Sequence, residues 1–378
     1  MMLALALGVV VVASVVIMYA CDPFEDASGY LGRNMPPGVQ GATINAIASS
    51  LPELLTTSFL LFLYHDQDGF TGGVATCAGS AVFNAVIIPA LCILAVMYKG
   101  VKQKDGSYQR VSHISLDRFT VIRDGFFFIL AELALIYFLG DSTLKWWMGG
   151  ALMAIYLVYF GVLMWQMKTQ GGEDEDDDDD DDEDDDEEKS KLKALLTFDF
   201  NNLLFHNQDF NATRAWVVLG CAVAVISVAC YGLSWAVVEA AAQLDVPLFF
   251  TTVILAAAAT SVPDTVISVR DAMDGDYDDA VANAVGSNIF DICVALGLPL
   301  LVYGLVYGDI GMSANYGDSA DVQILRWGLL VTTGVVLTLF LVGKQIGKGK
   351  AIALFSLYAL WLGFVVWRGL FPTDIPLL

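Results

Sequence analysis

The chain has 378 residues, is 56% hydrophobic, carries a formal net charge of −23 and has a mean hydropathy of +0.62. That composition excludes a soluble domain, because windows of roughly 20 apolar residues, enough to cross hydrocarbon, recur along the sequence. The acidity excludes nucleic acid as a partner, although one uninterrupted run, Glu173 to Glu188, holds 16 acids and leaves only −7 for the rest.

Ten spans are predicted in order: Met1–Ala20, Gly38–Tyr64, Gly72–Tyr98, Phe119–Gly140, Trp146–Met167, Ala215–Ala242, Pro247–Val269, Asp279–Val306, Gln323–Val342 and Ala351–Phe371. The first lacks a basic leader and reads as a membrane helix rather than a cleaved signal. Span two carries Ala48-Ser49-Ser50-Leu51-Pro52-Glu53, and span three carries Gly79-Ser80-Ala81-Val82-Phe83-Asn84. Basic residues Lys99, Lys102, Lys104, Arg110 and Arg118 follow span three. After span five comes the acidic run, whose self-repelling charge predicts a disordered, solvated linker. The expected division is a first membrane repeat over 1–167, an acidic loop over 168–213 and a second repeat over 214–378.

Span seven carries Ala259-Thr260-Ser261-Val262-Pro263-Asp264, and span eight carries Gly286-Ser287-Asn288-Ile289-Phe290-Asp291. Between them lies an acidic turn, Asp271, Asp274, Asp276, Asp278 and Asp279. Its spacing echoes a calcium loop, but position 12 would be Val285, so an EF-hand is rejected. The six cysteines form no C-x-x-C pair and read as small buried hydrophobes. His65, His113 and His206 form no cluster, and no constellation suggests an enzyme or a bound cofactor. Trp146, Trp147, Trp327 and Trp367 fall near span ends, as interfacial anchors do.

With ten spans, the loops after spans three, five and nine share one side and hold most of the lysine and arginine. That side is expected to be cytoplasmic, with both termini outside, in a plasma membrane or bacterial inner membrane. The motif pairs recur 211 residues apart (Glu53 to Asp264) and 207 apart (Asn84 to Asp291). Five spans separate the two proline-bearing helices, and five is odd, so the copies run in opposite directions. The expected fold is therefore an all-α polytopic membrane protein of ten transmembrane helices in two inverted five-helix repeats.

Proline inside an apolar helix removes a backbone donor and clashes with the preceding turn, which predicts a local break and exposed carbonyls. Thr260 and Ser261 precede Asp264 by four and three residues, so the three share one face. Ser80 and Asn84, and likewise Ser287 and Asp291, are four apart. An acid at a helix centre costs about 2.5–3.5 kcal/mol on the lenient insertion scale, and Glu53, Asp264 and Asp291 have no lysine or arginine beside them in these helices. Bound cations or protons must compensate. Calcium, which takes six to eight oxygens, suits such a cluster. Close helix packing would account for Gly79, Ser80, Gly286 and Ser287 but not for the acids.

These motifs resemble the alpha repeats of the sodium/calcium exchanger family, and the second is especially similar to its potassium-dependent members. The resemblance implies antiport of calcium against sodium by alternating access, with potassium co-transport possible. It implies Glu53 and Asp264 as central calcium ligands, joined by Ser49, Ser50, Thr260 and Ser261. Asn84 and Asp291 would complete a sodium-competent cluster flanked by Ser80 and Ser287. Alanine, Ala48 and Ala259, stands where the family often has glycine before the hydroxyl pair. A proton/calcium antiporter, a passive cation channel and a non-transporting cation sensor are the competing readings.

Overall fold

The computed structural model describes residues 1–33, 46–64, 67–103, 106–170, 194–206, 208–311, 320–343 and 345–370. The acidic run, His65, Lys104 and Lys344 lie outside these residues.

The first half supplies α1 (Met2–Gly32), α2 (Ala46–Tyr64), α3 (Gln67–Tyr98), α4 (Arg118–Phe138) and α5 (Trp146–Gln170). After the short α6 (Phe200–Phe205) come α7 (Ala212–Leu244), α8 (Leu248–Thr260), α9 (Val262–Asp274), α10 (Tyr277–Val306), α11 (Ala320–Leu341) and α12 (Lys348–Leu370). Among the described residues, α1, α3, α5, α7, α10 and α12 are long and apolar enough to cross a membrane, and α8 with α9 makes one further bent span. Helices α2 and α11 contain shorter apolar stretches, Ile47–Leu63 and Trp327–Leu341. Helix α4 is diluted by Arg118, Arg123, Asp124 and Glu132.

The first predicted span ends at Ala20, but α1 runs on to Gly32 with Pro23 inside it. Polar Asp22, Glu25 and Asp26 end the apolar stretch there, not the helix. Asp117 caps α4 by accepting from the Thr120 N–H at 3.0 Å, which holds its carboxyl below the ordinary aspartate range.

Three ladders of two or three residues, too short for a periodic signal, add strand to the expected all-α plan. β1 (Val101–Lys102) pairs with β2 (Tyr108–Gln109) within one loop. β3 (His113–Ser115) pairs with β6 (Gln345–Gly347), joining the α3–α4 and α11–α12 loops. β4 (Thr143–Leu144) pairs with β5 (Ile310–Gly311), joining the α4–α5 and α10–α11 loops. Each of these two pairings puts one loop from the first half and one from the second at the same end of the molecule.

Helices α3 and α10 form the centre: 72% and 67% of their apolar windows are buried, against 22% for α1 and α12. A separate apolar cluster joins α1 to α7 through Ala6, Ala13 and Ile17 on one side and Ala222, Ile226 and Leu233 on the other. Small residues allow that close approach.

Candidate cation site

The second motif breaks its helix as the sequence predicts. Helix α8 ends at Thr260, Ser261 leaves helical geometry at φ −80° and ψ 2°, and α9 departs at 41°. Pro263 sits in the first turn of α9, where its missing N–H costs nothing, and Asp264 sits beside it. Two wide turns occur in the second half: Thr252–Ala256 in α8 and Asp291–Ala295 in α10 both have π-helical bonding. The second places Asp291 at the start of the distortion, where Leu296 N–H reaches Asp291 O at 3.1 Å. Such bulges commonly mark functional positions.

The first motif behaves differently. Helix α2 stays continuous through Pro52, contrary to the expectation that the same pattern breaks both helices. Pro52 cannot bond the carbonyl one turn back, Ala48 O, and that oxygen instead accepts from the Cys21 thiol of α1 at 3.6 Å. The Cys230 thiol of α7 reaches Pro52 O at the same distance. All six cysteines are free, as expected, but these two act as weak donors and not only as small hydrophobes.

All ten predicted site residues are 0% exposed. Ser80 is the hub. Its Oγ lies 3.1 Å from Glu53 Oε1, 2.9 Å from Asp291 Oδ2 and 2.9 Å from Ser261 Oγ. A hydroxyl has one hydrogen, so it serves one of those two carboxylates at a time. Asn84 Nδ2 donates to Asp264 Oδ2 at 2.9 Å and to Ser80 Oγ at 3.3 Å. Ser287 donates to Asp264 Oδ1 at 2.8 Å, with Ser49 Oγ 3.5 Å from Ser287 Oγ. Thr260 donates back to Ala256 O at 3.1 Å, and its oxygen lies beside the Glu53 carboxylate.

Four oxygens in this cluster have no hydrogen-bond partner: Ser50 Oγ, which lies beside the Asp291 carboxylate, Glu53 Oε2, Asn84 Oδ1 and Asp291 Oδ1. Buried polar atoms rarely go unsatisfied, and together they make a concentration of bare acceptors. Among the described residues, no three aspartate, glutamate, histidine or cysteine side chains close into a metal cage. Hydroxyls and an amide share the cluster with the carboxylates.

Close packing explains part of the motif, as expected. A side chain at Gly79 would meet Val253 O at 2.4 Å, so α3 needs glycine against the wide turn of α8, whereas at Gly286 the nearest atom is Tyr159 Oη at 3.6 Å. Span four holds two acids that sequence reasoning missed. Asp124 is buried and forks with Arg123, at 2.6 and 3.0 Å, and accepts from Tyr159 Oη at 3.2 Å. Glu132 is buried and accepts from Thr333 Oγ1 of α11. Their signal was available, since a charged residue inside an apolar span is unusual in itself. Asn288 was missed too; its Nδ2 donates to Ala81 O at 3.1 Å and ties α10 to α3.

The family model for "Sodium/calcium exchanger protein" matches residues 5–165 and 214–367. The sodium/potassium/calcium exchanger Nckx30C of Drosophila melanogaster is 32% identical over 132 residues, 35% of this chain and 13% of that protein. Sodium/potassium/calcium exchanger 4 of Mus musculus is 33% identical over 132 residues, 35% of this chain and 18% of that protein. The chain thus spans less than a fifth of the length of these curated relatives. The inner membrane protein YrbG of Escherichia coli is 24% identical over 375 residues, 96% of this chain and 97% of that protein. Among solved structures, the H+/Ca2+ exchanger CAX superposes with a TM-score of 0.63 at 16% identity, covering 99% of this chain and 82% of the other. The sodium-calcium exchanger NCX_Mj gives 0.55 at 20% identity, covering 96% and 99%. At these identities the superpositions speak for a shared fold.

Proposed function

This chain belongs to the sodium/calcium exchanger protein family, and from that premise we propose that it is a secondary active antiporter exchanging calcium for sodium by alternating access. The observation that carries the reading is the cluster of four unpartnered, fully buried oxygens drawn from both halves. Uncompensated, such a cluster is costly in a membrane; a hard cation supplies what every one of its oxygens lacks. Glu53 and Asp264 are the central calcium ligands, with Ser49, Ser50, Thr260 and Ser261 adding hydroxyl or carbonyl oxygen. Asn84 and Asp291, flanked by Ser80 and Ser287, complete the set that sodium occupies in calcium's place. Potassium co-transport is part of the proposal because relatives of this chain include sodium/potassium/calcium exchangers.

The architecture proposed for this role is ten membrane helices: α1 to α5, then α7, α8 with α9 as one broken span, and α10 to α12. The halves, 1–167 and 214–378, are inverted repeats joined by the acidic segment 168–213. The cross-half ladders support this alternation, since each joins loops that it puts on one side. Lysine and arginine in the α3–α4 and α11–α12 loops make that face cytoplasmic and leave both termini outside. Helices α1 and α7, paired through small apolar residues, shift across the remaining helices to change access. The empty cluster is too charged to cross unloaded, which enforces exchange over leak.

The test is calcium uptake into sodium-loaded proteoliposomes, with and without potassium. Uptake that needs the outward sodium gradient, and that Glu53→Gln and Asp264→Asn both abolish, supports the reading. Uptake driven by a pH gradient and indifferent to sodium replaces it with proton/calcium antiport. Uptake that needs no opposing gradient replaces it with a channel.

A further inference from the structure

Glu132 stands apart from the cation cluster. It lies in α4, is 0% exposed, and accepts from Thr333 Oγ1 of α11 through Oε1, while its Oε2 has no partner. Among the described residues, several titratable groups on the helices packed around it are engaged elsewhere. On α4, Arg123 and Asp124 fork onto each other. On α5, Tyr159 donates to Asp124, and Tyr156 packs edge-on against Phe290. On α10, Asp291 is bound to Ser80. Helix α11 presents the buried hydroxyls of Thr332 and Thr333. Among the described residues, no lysine or arginine forms an ion pair with Glu132.

A bare carboxylate in such a place must acquire a compensating positive charge. One carboxylate and one hydroxyl offer too few oxygens for a metal ion, whereas a proton needs only one. We propose that Glu132 is a proton-binding site inside the membrane, separate from the cation cluster and held between α4 and α11. A cleft lined by Leu116, Thr120, Asp124, Asp278 and Phe340 opens at the α4 N-terminal end. Asp124 precedes Glu132 by eight residues, so the cleft lies about two helical turns along α4 from the acid. Phe128, buried midway on α4, separates them.

Proton binding at Glu132 does not depend on the antiport reading, and infrared difference spectroscopy of the full chain in lipid tests it directly. Saturating calcium is present throughout, so that carboxylates holding the cation are ionised. The wild type is expected to give a protonated carboxyl C=O band that Glu132→Gln removes. Thr333→Val, which removes the donor to Oε1, is expected to keep the band and shift it to higher frequency. Should Glu132→Gln fail to fold, the Thr333→Val shift decides. A wild type with no such band, or a band indifferent to both substitutions, overturns the proposal, whatever the transport assays give.

Discussion

The two halves carry the same motif and treat it differently. In the first, α2 passes through Pro52 unbroken, and the carbonyl that proline frees is taken by a thiol from α1. In the second, the chain turns by 41° at Ser261, and both α8 and α10 contain wide π-helical turns. The chemistry is divided unequally too, with Glu53 and Asn84 from the first half and Asp264 and Asp291 from the second. A repeated sequence thus supplies repeated polar side chains without repeated backbone. The first half acts as the straighter wall, and the second supplies the distortion and the greater charge.

The largest expected effect tests whether the two central acids are equivalent despite that difference. Glu53→Gln and Asp264→Asn should each lower calcium affinity at least about a hundredfold, as when one partner in a buried charged site is lost. Calcium-dependent uptake and equilibrium calcium binding both read this. A much smaller loss for one acid would show that a single half holds the cation.

Next comes the charge asymmetry. Asp291→Asn makes the second half resemble the first at this position and should cost about tenfold in apparent calcium affinity, since charge count tunes such sites. Adding Asn84→Asp to that variant should recover most of the loss, because the net charge of the cluster is restored. No recovery would mean that the acid must stand at the wide turn of α10.

Packing sharpens the contrast further. Gly79→Ala drives a methyl against Val253 O and should cost about 1–3 kcal/mol, whereas Gly286→Ala should stay within about 0.5 kcal/mol. Thermal unfolding in detergent should show a lowered Tm for the first alone. The smallest effect belongs to Cys21→Ala, which deprives Ala48 O of its thiol and should cost about 0.5–1 kcal/mol by the same measurement.

The site was legible because a carboxylate in hydrocarbon is too costly to stand there without a counter-charge. Glu53, Ser80, Asn84, Asp264, Ser287 and Asp291 lie in one hydrogen-bonded network, as their spacing on four helices predicts. The break at Pro263 was legible from its local chemistry, a missing donor and a steric clash. Continuity through Pro52 was not, and the partner of the carbonyl that it frees is a thiol 27 residues away in sequence. The strand ladders were invisible for another reason, since two or three residues carry no period. Glu132 was readable and overlooked: among the phenylalanines and leucines of α4, a single carboxylate barely alters an averaged window.

The two cross-half ladders have a mechanical consequence. Backbone hydrogen bonds clamp the ends of α3, α4, α5, α10, α11 and α12 to one another at both faces, so those helices form a braced chassis that resists shear. Among the described residues no ladder includes a residue of α1 or α7, and the contact between those two is a greasy seam of alanine, valine and isoleucine. Side chains tie this pair to its neighbours only weakly, through the Cys21 and Cys230 thiols and an Arg270–Asp22 contact at 3.9 Å. On the proposed mechanism, stiffness and slip fall to different helices, and a cross-link from α1 to the chassis should block transport while leaving calcium binding intact.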